Sequence, residues 1–234
     1  KDTSRAAVEL AEKNDNMYAS IGIHPIHLFP THIDEEESSF MSREEGFDEE
    51  YYAELVKSKK VIGIGETGLD FFHLPKDISF EKVLEKQKQV FLAQANFAHK
   101  YNLPLVIHCR EARAEMIETL QSLNRKVAGV MHCFVGNWEQ AQKYLELGLY
   151  LGFTGVVTFQ PKKTNPQAQI DLLEVIKKMP LDRILVETDA PYLAPQAYRG
   201  QKAEPWMVEE MIKKIAEIRQ ESVENIGSIV LQNS

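Results

Sequence analysis

The chain has 234 residues, 44% hydrophobic and 26% charged, which suits one large α/β domain and excludes a disordered, collagen-like or disulfide-scaffold protein. Its 35 acidic residues outnumber 27 basic ones, leaving a net charge of −8, so a broad basic face for gripping nucleic acid is excluded and an anionic substrate needs local cations or bound metal. Two cysteines point to reduced thiols in the cytoplasm, and no apolar run approaches the roughly 18–20 residues of a membrane span.

The chain opens on a helical pattern around Ala6, Val8 and Leu10, with Asp2, Thr3 or Ser4 as N-cap. A start in mid-fold, without an initiator Met or a leading strand, reads as the N-terminally truncated form of a longer protein. Short Val/Ile-rich runs predict strands at 17–23, 61–65, 105–108, 128–132, 149–153 and 184–187. Between them, helical spacing covers 80–101, 111–123, 138–147, 168–179 and 205–220. Strand and helix in alternation mean βα units and a parallel sheet. The expected fold is a (β/α)8 TIM barrel over 1–234, a single domain whose first one or two strands are missing from the given chain. An open dinucleotide-binding sheet is the rival, but no G-x-G-x-x-G opens a helix. Residues 26–47 are the one irregular segment, expected as a mobile loop or lid. Their acidic run, Asp34 to Glu37, reads as solvated surface.

In a barrel of this kind chemistry sits where strands end. Here the predicted strands run into His24, Glu66, His108, His132, and the trio Glu187, Thr188 and Asp189. One such histidine is ordinary packing, whereas polar groups at the ends of most strands form a constellation. Two imidazoles and two carboxylates suit divalent Zn, Mn, Mg, Ni or Fe. Cys109 and Cys133 each follow a candidate ligand, but side chains alternate along a strand, so both read as structural thiols facing the helices.

At these residues the chain resembles the TatD family of metal-dependent deoxyribonucleases and hydrolases, of the amidohydrolase superfamily. The resemblance is carried by Gly22-Ile23-His24-Pro25, by 63–70 (Gly-Ile-Gly-Glu-Thr-Gly-Leu-Asp), and by 107–112 (Ile-His-Cys-Arg-Glu-Ala). It continues through 132–136 (His-Cys-Phe-Val-Gly), 152–155 (Gly-Phe-Thr-Gly), 187–193 (Glu-Thr-Asp-Ala-Pro-Tyr-Leu), Arg199-Gly200 and Glu204-Pro205. It implies two divalent metal ions (Mg, Mn, Zn or Ni), with Glu66 shared between them. His108, His132 and Asp189 are further ligands, and Asp189 also handles the proton of the attacking water. His24 and Arg199 are implied beside the substrate phosphate. The family's His-x-His pair from the first strand is absent, and Ala203 and Lys202 replace the usual Asn and Arg.

The function expected is metal-dependent hydrolysis of DNA phosphodiester bonds, as a 3′-to-5′ exonuclease on single strands, with Asp189 and Glu66 as catalytic residues. Glu187 is a candidate support for the ligands, and Arg110 supplies a local cation for the substrate. A net charge of −8 favours trimming strand ends over gripping a duplex, with a shallow salt dependence. Phe71, Phe72, Tyr192 and Trp206 are available to stack on a base. The alternative is an amidohydrolase, lactonase or small phosphoester hydrolase using the same metals. No membrane and no obligate protein partner is indicated.

Overall fold

The computed structural model describes residues 1–35 and 38–234. The chain divides into two compact units, Lys1–Gly129 and Val130–Ser234.

The first unit begins with α1 (Asp2–Glu12), β1 (Ala19–Ile21) and a 3-10 turn at Pro25–His27. Within 26–47 the chain forms an antiparallel hairpin of β2 (His32–Glu35) and β3 (Ser38–Met41) rather than a plain loop. Glu36 and Glu37, in the acidic run, lie outside the described residues. Ile33 is buried there, and Ser42 ties the hairpin to Thr31 and Phe29 through main-chain and hydroxyl hydrogen bonds. Then follow α2 (Glu49–Leu55), β4 (Val61–Asp70), α3 (Phe80–Lys100), β5 (Leu105–Arg110) and α4 (Arg113–Gln121). The central strand β4 pairs in parallel with β1 and with β5. Helix α3 buries Val83, Gln87, Phe91, Gln94 and Ala98 at three- and four-residue spacing, the stripe of a helix laid on a sheet.

Strand β4 runs on well past the predicted end at 65. The ladder slips between Ile64 and Thr67, then resumes by pairing Thr67 with Ile107 and Asp70 with Arg110. An extra residue at such a bulge re-aims the side chains beside it, and Glu66 lies there. Gly68 permits the close approach that follows, since a Cβ at this position would collide with the carbonyl oxygen of His108.

The second unit opens within β6 (Gly129–Met131) and continues with α5 (Trp138–Glu146), β7 (Tyr150–Phe153), α6 (Pro166–Lys178) and β8 (Ile184–Val186). It closes with α7 (Val208–Arg219) and α8 (Val223–Asn233). Strand β7 pairs in parallel with β6 and with β8. A capping box between Asn137 and Gln140 starts α5, and Gln220 in the left-handed conformation stops α7. The predicted helix 205–220 is thus a 3-10 turn, Pro205–Met207, leading into α7. Both units are α/β, as the alternation predicts. No helix among the described residues is long and apolar enough to cross a membrane.

Candidate metal centre

In the first unit β1 leads to His24, while Glu66 and His108 stand on β4 and β5. One donor atom from each of the three lies within 4.8 Å of the others. His108 is held from both sides, with Nδ1 3.0 Å from Oε1 of Glu66 and Nε2 2.9 Å from Oδ2 of Asp70. Carboxylates only accept, so both ring nitrogens donate. Burial opposes that charge, but the hydrogen bonds to Asp70 and Glu66 and their negative charges outweigh it, pushing His108 up to about 9.

His24 moves the opposite way. Burial, aided by the charge of His108, holds it down to about 3. The two rings meet edge to face with centroids 4.2 Å apart. The Ile26 N–H donates to Nδ1 of His24 at 3.3 Å, which leaves the proton of the neutral ring on Nε2, 3.8 Å from Oε1 of Glu66. In that tautomer His24 is a hydrogen-bond donor toward the centre rather than a ligand, a chemistry suited to the substrate-contacting role expected of it.

Asp70 escaped the sequence reading. Its carboxylate is 1% exposed and saturated with donors: Oδ1 accepts from the N–H groups of Phe72 and His73, and Oδ2 faces Nδ1 of His73 at 3.1 Å as well as His108. The pairing with His108 helps hold it well below the usual carboxylate range despite burial, which opposes ionisation. A signal for it was present, because Glu66, Gly68 and Asp70 alternate onto one face of β4 and Gly68 pairs with His108.

The second unit gathers its own group. His132 lies in the turn after β6, with Nδ1 3.0 Å from Oε1 of Glu187 and Nε2 3.5 Å from Oδ1 of Asp189. The same Glu187 oxygen accepts from the Cys133 N–H at 2.6 Å. Alternation along a strand does not govern Cys133, because β6 ends at Met131. Burial instead pushes its thiol up to about 11, and Sγ sits 3.1 Å from the Thr154 hydroxyl, so it is no thiolate donor. Neither cysteine is in a disulfide.

Both expected substrate cations lie over aromatic rings. Arg110 ends β5 and lays its guanidinium 3.8 Å from the ring centroid of Phe72, itself 51% exposed. Arg199 is exposed and lies over the ring of Phe159. Trp206, also exposed, donates its indole N–H to Glu204.

The donor chemistry of the first unit fits a divalent cation. Imidazole nitrogen and carboxylate oxygen are ligands that Mn, Zn or Ni accept. The Glu66 and His108 donors already share a proton that such a cation would displace, leaving Nε2–H on Asp70 as the usual backing of a ligand histidine.

A family described as TatD related DNase matches residues 1–234. The chain is 37% identical over 237 aligned residues to the uncharacterized metal-dependent hydrolase YabD of Bacillus subtilis, covering 100% of this chain and 82% of that protein. It is 32% identical to the 3′-5′ ssDNA/RNA exonuclease TatD of Pantoea vagans, covering 99% of this chain and 82% of that one. Among solved structures, the TatD homologue YjjV of Escherichia coli superposes with a TM-score of 0.76 at 28% identity, covering 99% of this chain and 80% of that one. The βα repeat read from the sequence is thus the fold of a TatD-type structure.

Proposed function

The chain belongs to the TatD related DNase family, and from that premise we propose that this metal-dependent hydrolase cleaves phosphodiester bonds of DNA, removing nucleotides from single-stranded 3′ ends. The observation that carries the reading is the pair Glu66 and His108, a carboxylate oxygen and an imidazole nitrogen 3.0 Å apart, with His24 beside them and the saturated carboxylate of Asp70 behind His108. Support for the substrate comes from the relative named as a 3′-5′ ssDNA/RNA exonuclease.

In this reading Glu66 and His108 of the first unit, and His132 and Asp189 of the second, would be the residues that hold the two divalent cations. Such ions polarise a substrate oxygen and lower the pKa of water toward about 7. Asp189 takes the proton of the attacking water and returns it to the leaving oxygen. Glu187 fixes the orientation of His132 through Nδ1. His24, with its proton on Nε2, and the cations Arg110 and Arg199 meet the substrate phosphates. With a net charge of −8, the protein engages few phosphates at a time, which suits an exonuclease and gives a shallow salt dependence. The low cysteine content, with both side chains outside any disulfide, fits a cytoplasmic setting.

The test is cleavage of single-stranded DNA labelled at either end, with Mg²⁺ or Mn²⁺ and with EDTA as control. A ladder shortening from the 3′ end, abolished by EDTA and by Asp189→Asn or Glu66→Ala, supports the reading. Intact DNA beside turnover of an amide, lactone or small phosphoester overturns the nuclease and leaves the hydrolase. Full activity in either variant overturns the site.

A further inference from the structure

Helix α3 carries two fully buried amides, Gln87 at 2% and Gln94 at 0% exposure. They stand seven residues apart, two turns of helix, and so project from one stripe. Buried amides survive only when their donors and acceptors are used, and the partners of these two are specific. Gln94 accepts from the Ile23 N–H at 2.8 Å, donates to the Ile23 carbonyl at 3.1 Å, and donates to the Thr67 hydroxyl at 2.5 Å. Gln87 accepts from the Asp70 N–H and donates to the Asp70 carbonyl, both at 2.9 Å.

Each amide thereby imitates a residue of a neighbouring strand, meeting one N–H and one C=O together. Ile23 lies beyond the end of β1, where no ladder holds it. The residues clamped adjoin the centre on every side: Ile23 precedes His24, Thr67 follows Glu66, and Asp70 holds His108. We infer that Gln87 and Gln94 are positioning residues, a pair of amide clamps that fix Glu66 and the Asp70–His108 pair in the geometry a divalent cation requires and hold His24 beside them. This rests on the metal-binding reading above and goes beyond it, since neither glutamine offers a ligand.

The experiment is Mn²⁺ binding, followed by the electron spin resonance of the free ion, alongside the thermal midpoint of the metal-free protein. The variants are Gln87→Met, Gln94→Met and the milder Thr67→Val, which breaks only one of the three Gln94 contacts. Thr119→Val is the control: it removes a buried hydroxyl that bonds to Glu115 within α4. The glutamine variants are expected to weaken Mn²⁺ binding by about 10–100-fold, the range for residues that orient ligands. Thr67→Val weakens it less, and Thr119→Val shifts the midpoint alone. Wild-type affinity in the folded glutamine variants overturns the clamp while leaving the metal site. If the glutamine variants do not fold, wild-type affinity in Thr67→Val overturns it. Wild-type protein that binds no Mn²⁺ overturns both readings.

Discussion

Oδ2 of Asp70 lies 2.9 Å from Nε2 of His108, and every other acceptor position of that carboxylate is already used by Phe72 and His73. Asp70 therefore serves His108 and offers nothing to a ligand of its own. Asp70→Asn keeps the shape and removes the charge that orients the ring. It is expected to weaken Mn²⁺ binding by about 10–100-fold, measured by titration calorimetry. Unchanged affinity would show that the pairing is incidental.

Metal binding and protonation compete at His108. Its raised value, about 9 against an ordinary 6.5, means that it is protonated at neutral pH, and uptake of a divalent cation releases about one proton. Calorimetry in buffers of different ionisation enthalpy checks this, and an enthalpy independent of buffer contradicts it.

The same shift has a consequence for the metal-free protein. The stability contributed by charged His108 is fully present below 6.5 and is lost as pH rises through about 9. His24, lowered from 6.5 to about 3, acts in the other direction: its contribution is present above 6.5 and lost as pH falls. The thermal midpoint of metal-free protein should therefore decline between roughly pH 7 and 9, and that slope should flatten in His108→Gln.

In the second unit Gly152 leaves room for a carboxylate. A Cβ there would come within 2.5 Å of Oε1 of Glu187, the oxygen that faces both His132 and the Cys133 N–H. Gly152→Ala displaces Glu187, and hydrolysis should fall by about 10–100-fold. Glu187→Gln, which keeps the shape, should lose less. Activity at the wild-type level in Gly152→Ala would remove Glu187 from the mechanism.

Phe72 presents a half-exposed ring with the Arg110 guanidinium over one face. Stacking of a base on such a ring contributes about 1–3 kcal/mol. Phe72→Ala is expected to raise KM for a single-stranded oligonucleotide by roughly tenfold or more with kcat little changed. Turnover of a small phosphodiester without a base should not respond. An equal loss on both substrates would make Phe72 a packing residue.

The βα order, the placement of most helices and the cast of chemical residues were legible in the sequence, because buried parallel strands and amphipathic helices leave short-range patterns. His24, Glu66, His108, His132, Glu187 and Asp189 all stood out as polar groups ending apolar runs. What local pattern could not reveal was how those ends are built. The β4 bulge, which places Glu66 and Asp70 on either side of His108, depends on a ladder with β5 that lies far along the chain. The hairpin in 26–47 was hidden by its polar, acidic composition.

Sequence alone thus determined the fold class, through the alternation of apolar runs and helical spacing, while its ordered motifs carried the resemblance to the family and pointed to the residues with donor atoms. Tertiary structure decided the partners: Asp70 behind His108, Glu187 behind His132, and the α3 amides behind Ile23, Thr67 and Asp70. Hydrogen bonds between residues distant in sequence obey distance and direction in space, and no periodicity along the chain records them.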